Sequence, residues 1–286
     1  MEQILWNLSR GVVVSVVIFG FLFLTLPLLV FVPLSFNAEP YFTFTEGMLR
    51  LDSDAYSLRW YRAIFENEDW RRAIANSFVI GMFATIVATI LGTLAALALN
   101  NPKLPFRRSL GAFIISPMVT PIIVVAVGVY FFYTEVGIAK LSLGSFQIGP
   151  YIGIILAHAM IGAPYVVITV SASLAGFDHT LLKAAKISGA GPFTAFRRVQ
   201  LPLLSPGVIT GALFAFITSF DEVVIVLFMA GIQQRTIPRE MWSGIREEIS
   251  PTILAVATLL VIFAVIVLLT VEWLKHLSEK NRTGTA

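Results

Sequence analysis

The sequence contains no cysteine. Disulfides and thiolate metal or redox sites are therefore excluded, and thiols carry no information about compartment. Histidine is scarce: three occur, His158, His179 and His276, and none sits in an HExxH pattern. No GxxxxGK[ST] stretch is present, so the chain has no phosphate-binding P-loop of its own. Charge is also sparse. Asp, Glu, Lys and Arg make up 13% of 286 residues, against about 25% in a soluble domain.

Apolar residues fill the place of the missing charge. They make up 57% of the chain, mean hydropathy is +0.85, and they come in long runs. Such runs read as membrane spans. Six are expected, at about 11–34, 73–99, 110–133, 150–173, 206–229 and 252–274. The first is about 36 Å long at 1.5 Å per residue, enough to cross with some tilt. It lacks a small-x-small cleavage pattern, so it reads as an uncleaved anchor. Pro117 and Pro121 interrupt the third. In the second, Gly81, Ala84, Ala88, Gly92 and Ala96 recur at helical spacing, which permits close helix approach. Between the first two spans, residues 35–72 are polar and are expected to include a short interfacial helix, with Trp60, Tyr61 and Trp70 at headgroup level. No solenoid repeat or separate soluble domain is visible, so residues 1–286 read as one transmembrane domain.

The small net charge of +3 lies in short loops. Retention of basic loops in the cytoplasm is a simpler account of it than nucleic-acid binding. With six spans both termini share a side, and the loops on that side hold eleven Lys and Arg against nine on the other. That bias places the termini inside.

The segment KAAKISGAGPFTAFRRVQLP, residues 183–202, stands out in so apolar a chain. LLKAAKISGA reads as a short helix with Lys183 and Lys186 exposed and Leu182, Ala185 and Ile187 partly buried. Gly189 suits its C-terminus, where glycine accepts positive φ. Pro192 suits the first turn of a second helix. That helix brings Phe193, Phe196 and Leu201 near one face and stops at Pro202. Two short helices at an angle outside the bilayer suit docking in a partner's groove; an ordinary basic loop is the plainer alternative.

The spacing here resembles the EAA-x3-G-x9-I-x-LP signature of permease subunits of bacterial binding-protein-dependent ABC importers. Ala184 and Ala185, Gly189, Ala190 just after it, Val199, and Leu201 with Pro202 fall in order. Lys183 stands where that family usually has Glu, so the local contact there differs. SFDEVVIVLFMAG and IPREMWSGIREEISPTILAVATLLV resemble most closely the second permease of spermidine/putrescine importers. The resemblance implies an all-α membrane protein with the type I ABC importer permease fold and cytoplasmic coupling helices. It implies residence in the bacterial inner membrane with both termini cytoplasmic. It also implies partners: a second permease, a cytoplasmic ATPase dimer and a periplasmic substrate-binding protein. ATP and Mg would be bound by the ATPase, and this chain would need no cofactor.

Asp221 and Glu222 lie about sixteen residues into the fifth span. A carboxylate at the bilayer centre costs about 2.5–3.5 kcal/mol on insertion scales, so two adjacent ones are not expected to face lipid together. They read either as lining the route of a cationic substrate or as structural partners for another span. Tyr130, with its neighbours to Tyr133, reads as an interfacial belt or as an aromatic gate for amines. Trp242 and residues Glu240 to Glu248 lie in the last outer loop or in a re-entrant helix, as solvated charge or as a surface for a delivery protein. His158 reads as an interhelical hydrogen-bond partner. No nucleophile constellation or metal-ligand spacing is present, so a transport subunit is expected rather than an enzyme. The expected activity is ATP-driven import of putrescine, spermidine or related amines by alternating access. Alternatives are a permease for an aminoalkylphosphonate or opine-like solute, or a proton-coupled secondary transporter using Asp221, Glu222 and His158.

Overall fold

The computed structural model describes residues 2–143, 146–247 and 250–283. Among the described residues the regular structure is helical apart from one two-residue hairpin, β1 (Ser142–Leu143) with β2 (Phe146–Gln147), and an isolated bridge between Asn37 and Tyr56. Among the described residues five helices are long and apolar enough to cross a membrane, or six if one sharply bent pair counts as a span. The contacts divide the chain into two compact units, residues 1–68 with 243–286, and residues 69–242.

The first unit contains α1 (Glu2–Leu34), α2 (Glu46–Leu49), α3 (Arg59–Glu66) and α13 (Thr252–Thr283). Pro27 and Pro33 lie inside α1. The polar stretch after α1 is ordered around Asn37, which is fully buried. Its Nδ2 donates to the carbonyls of Tyr41 and Thr43, and its Oδ1 accepts from Glu39 N. Trp60 Nε1 donates to Asn37 O at 2.8 Å, and the hydroxyls of Tyr61 and Ser35 meet at 2.6 Å. These bonds fasten α3, the expected short helix, through the polar tips of Trp60 and Tyr61, while Ile64 is buried beneath it. Trp70 departs from the interfacial expectation. It lies in the next long helix and is only 9% exposed, because that helix begins before the apolar run does.

The second unit holds α4 (Glu68–Leu99), α5 (Arg107–Val119), α6 (Ile122–Glu135), α7 (Gly149–Ala175), α8 (Thr180–Ile187), α9 (Pro192–Ala195), α10 (Leu201–Asp221) and α11 (Val224–Met229), and most of α12 (Ile237–Glu247). Between membrane helices there is little hydrophobic drive, so association depends on backbone approach and van der Waals packing. The seam between α7 and α10 shows how. Gly207, Gly211, Ala215 and Ser219 recur every four residues and are buried. A Cβ on Gly211 would lie 2.5 Å from Thr169 Oγ1 and 2.7 Å from Val166 Cα; one on Gly207 would lie 2.2 Å from Ser173 Oγ. The small-residue stripe of α4 is buried as expected. A Cβ on Gly92 would meet Val166 Cβ at 2.6 Å, and one on Gly162 would meet both Ala215 and Ala88. A core of Ala88, Ala96, Val166, Val170, Leu174, Leu204 and Ala215 results.

Two expected spans are not continuous helices. The third is an elbow: α5 and α6 meet at 107° across Thr120 and Pro121. Pro121 has no N–H to continue the ladder and pushes Thr120 into an extended conformation (ψ 136°). Pro117 is absorbed inside α5. The fifth span, expected at 206–229, instead runs as one apolar helical stretch from Pro192 to Asp221 and breaks at Glu222, whose ψ is 120°. The helix resumes as the short α11.

Candidate functional site

The segment after α7 forms a compact turn of two helices. Asp178 opens it: its Oδ1 accepts from Thr180 N at 2.8 Å and its Oδ2 from Thr180 Oγ1 at 2.7 Å. Those bonds hold the Asp178 carboxyl below its ordinary range. At the other end of α8, Gly189 has φ +81°. Ala190 N donates to Ala185 O and Gly189 N to Lys186 O, both at 3.0 Å. This is the paired bonding of a Schellman turn, in which a left-handed residue closes a helix and satisfies its last carbonyls. A Cβ on Gly189 would meet nothing within 4 Å among the described residues, so it is the backbone conformation that calls for glycine. Gly191 then leads into Pro192 at the first turn of α9, against which α8 packs.

The sequence expectation holds for this turn but not for the second helix. Pro202 does not stop it. Residues Phe196–Gln200 form a π-turn, and the helix runs on into α10. The wider turn accommodates a proline that has no N–H to give and whose ring would crowd the preceding turn. Exposure also differs from expectation. Ile187 is 88% exposed and Phe193 73%, whereas Phe196 and Leu201 are half-buried and Ala195 is buried. Ile187 and Phe193 thus stand out on either side of the Gly189 turn, with Lys183, Lys186, Arg197 and Arg198 exposed around them. Ala184 is exposed, and Ala185 and Ala190 are half-buried. The surface is apolar at its tip and basic at its rim.

At the opposite end of the same helix lies the acidic pair. Asp221 closes α10 and is exposed. Glu222 sits in the break, where its Oε1 accepts from Val224 N at 2.6 Å and Ile225 N at 3.0 Å. Glu222 therefore caps α11, a structural role, while Asp221 points free of that cap. The rings of Phe78 and Phe220, the latter just before Asp221 in the chain, meet edge to face at 5.3 Å, and Phe216 lies 5.4 Å from Phe220.

The other singled-out residues are dispersed. Tyr130 lies on α6, exposed and edge to face with Phe131. Trp242 lies on α12 and is about half exposed; Glu240 is engaged with Arg235 at 3.3 Å, and Glu248 is outside the described residues. His158 is buried on α7 with its Nδ1 2.8 Å from Ser219 Oγ, the interhelical bond expected of it, and its Nε2 has no partner among the described residues. The α5–α6 elbow borders an apolar cavity of about 460 Å³, whose lining, which includes Phe113, Pro117, Val124 and Met160, brings no charged group to it.

One polar cluster was not anticipated. Asn76 Nδ2 donates to the carbonyls of Gln233 and Arg235, both at 2.8 Å, and Ser77 Oγ accepts from Ile237 N. The Tyr151 hydroxyl donates to Gln233 O at 2.9 Å and lies 3.1 Å from Asn76 Oδ1. Together they pin the loop between α11 and α12 to the ends of α4 and α7. The available signal was the pair Asn76-Ser77 inside an otherwise apolar run, since polar side chains there need partners.

Residues 88–282 match the family described as binding-protein-dependent transport system inner membrane component. The spermidine/putrescine transport system permease protein PotC of Haemophilus influenzae is 32% identical over 242 residues, covering 85% of this chain and 88% of that one. The putrescine transport system permease protein PotI of Escherichia coli is 31% identical over 271 residues, covering 94% and 92%. Among solved structures, a chain of a bacterial ABC transporter involved in the import of the acidic polysaccharide alginate superposes with a TM-score of 0.66 over 92% of this chain and 95% of that one, at 17% identity. That last likeness concerns the fold.

Proposed function

We infer what this chain carries, and how, from one premise: it belongs to the family of binding-protein-dependent transport system inner membrane components. It is a multi-pass permease subunit, a transport component rather than an enzyme. The substrate is a polyamine, putrescine or spermidine. The names of the relatives support that class, and so does an exposed carboxylate, Asp221, at the end of a long apolar helix. A carboxylate there is costly against hydrocarbon and favourable beside a cation. The adjacent Glu222 serves the fold instead, as the cap of α11.

The coupling element is α8, Gly189 and the start of the Pro192 helix. The observation that carries this reading is the exposure of Ile187 and Phe193 at the tip of a Schellman-closed turn, the first beyond the apolar spans and the second at the very start of the Pro192–Asp221 stretch. Large apolar side chains held out by a rigid turn fit a groove on a partner, and the basic rim fits an acidic border. The partner is a cytoplasmic ATPase dimer that binds ATP and Mg, so both termini of this chain are cytoplasmic. A second permease completes the path, and a periplasmic binding protein delivers the amine. Closure of the ATPase dimer displaces the coupling element and opens the cavity outward; hydrolysis returns it inward. Lys183, in the place of the usual Glu, inverts one charge on the docking face and calls for a matching change on the ATPase.

The test is uptake of labelled spermidine and putrescine by cells lacking their own importers, carrying this chain with its ATPase, partner permease and binding protein. Expected is ATP-dependent uptake that falls in Asp221→Asn. Absence of uptake with all subunits in the membrane removes the polyamine assignment. Uptake that survives loss of the ATPase and stops when the proton gradient collapses supports a secondary transporter instead.

A further inference from the structure

We propose that the exposed stripe of α10 from Phe214 to Asp221 is a lane for an extended polyamine. The Asp221 carboxylate takes one terminal ammonium, and the stacked rings of Tyr165 and Phe214 take the other. The inference rests on the polyamine reading above and adds to it a site and a preference for length.

Phe214, Ile217 and Asp221 are spaced i, i+3, i+7 and share one face of the helix. All three are exposed, while the face formed by Gly207, Gly211, Ala215 and Ser219 is buried. The carboxylate identifies what the exposed face meets. The lane places this face against water or protein rather than lipid, the setting a carboxylate favours. The Phe214 and Tyr165 rings stand nearly parallel, with centroids 6.0 Å apart and planes at 23°. Phe214 is 47% exposed, leaving ring surface available. An exposed aromatic face attracts an ammonium through its quadrupole. Phe220, the residue before Asp221, meets the Phe78 ring edge to face at 5.3 Å. No Lys or Arg occurs along α10 to repel a cation.

The spacing selects a length. Seven residues of helix separate Phe214 from Asp221, about 10 Å. With bonds of about 1.5 Å, the five bonds of an extended four-carbon diamine reach roughly 6 Å, and the nine bonds of an extended triamine such as spermidine roughly 11 Å. Only the longer amine reaches both ends. The methylene segments between ammonium groups lie against Ile217.

The experiment uses the assembled transporter in proteoliposomes, with binding protein saturated separately by labelled spermidine or putrescine, so that its own preference does not enter. The readout is the ratio of the two uptake rates. In Phe214→Leu the spermidine-to-putrescine ratio is expected to fall by about 2- to 30-fold, the range of one cation–π contact. In Phe214→Tyr, which keeps the ring, it stays within about twofold. Should Phe214→Leu fail to assemble, Tyr165→Leu reports on the same ring pair and is expected to lower the ratio likewise. An unchanged ratio in the Leu variants, with wild type carrying both amines, overturns the lane and leaves the polyamine reading standing. Wild type carrying neither amine overturns both.

Discussion

Replacing Gly189 separates two ways in which the proposed coupling turn can matter. The residue sits at φ +81°, with no atom within 4 Å of where a Cβ would lie. Gly189→Ala therefore creates no clash within this chain. Its cost is the left-handed backbone, about 1–2 kcal/mol for an L-residue. At 1.4 kcal/mol per tenfold, that lowers the population of the closed turn by about 5- to 30-fold relative to its alternatives. Asn tolerates the left-handed region better than other non-glycine residues, so Gly189→Asn is expected to fall between Gly and Ala. The assay is amine uptake and ATP hydrolysis measured together on the assembled transporter. Uptake per ATP is expected to decline in the order Gly, Asn, Ala, with the amount of assembled complex unchanged. If Asn, the bulkier side chain, proves worse than Ala, the loss comes from obstruction of the partner's groove and the backbone argument fails. If Ala behaves as wild type, the turn is not required.

Two further substitutions test the helix seam and the acidic pair. Gly211→Ala would place a Cβ 2.7 Å from Val166 Cα, a backbone atom that cannot swing away. About 1–3 kcal/mol of overpacking is expected, seen as a lower melting temperature of the purified complex. Gly128→Ala, with nothing within 4 Å, serves as the control and should be neutral or slightly stabilising. At Glu222 the cap needs an acceptor oxygen, not a charge. Glu222→Gln is therefore expected to keep stability and uptake, and Glu222→Ala to lose about 0.5–2 kcal/mol; a Gln variant as impaired as Ala would return Glu222 to the substrate path.

Composition carries the helical class because six apolar runs leave few alternatives: backbone polar groups in hydrocarbon must be satisfied within each segment. The stripe Gly81, Ala84, Ala88, Gly92, Ala96 was legible because small residues at helical spacing have one main use between membrane helices. The Gly189 turn was legible because glycine after a short helix and proline soon after it each have a stereochemical reason. Where helices break was harder to read. Pro121 makes a 107° elbow, while Pro117, Pro164 and Pro206 stay inside helices. The π-turn before Pro202 and the break at Glu222 depend on tertiary contacts and on a local cap, neither of which has a periodic signature. The same limit hid the Asn76–Tyr151 clamp, whose partners are backbone carbonyls about 80 to 160 residues away. Backbone acceptors are the same at every position and leave no mark in composition.

The π-turn bears on how movement at one end of the chain would reach the other. From Pro192 to Asp221 the helix is 30 residues long, about 45 Å at 1.5 Å per residue. From Gly207 to Ser219 it is locked to α7 through Gly207, Gly211, Ala215 and the Ser219–His158 bond, contacts too tight for one helix to slide past the other without parting. The exposed tip formed by Ile187 and Phe193 and the carboxylate of Asp221 are thus attached to one body. A push on the tip need not pass through a chain of switching side chains, because a rigid pair of helices delivers it directly as rotation or translation. The regular α-helical path is interrupted at two places, the wide turn at Phe196–Gln200 and the break after Asp221. The first lies between the docking tip and the locked seam, and the second between the seam and the clamped loop. An uncoupled variant that retains assembly is therefore expected to map to those two joints or to the Gly189 turn. Substitutions along the seam should instead reduce stability and transport together.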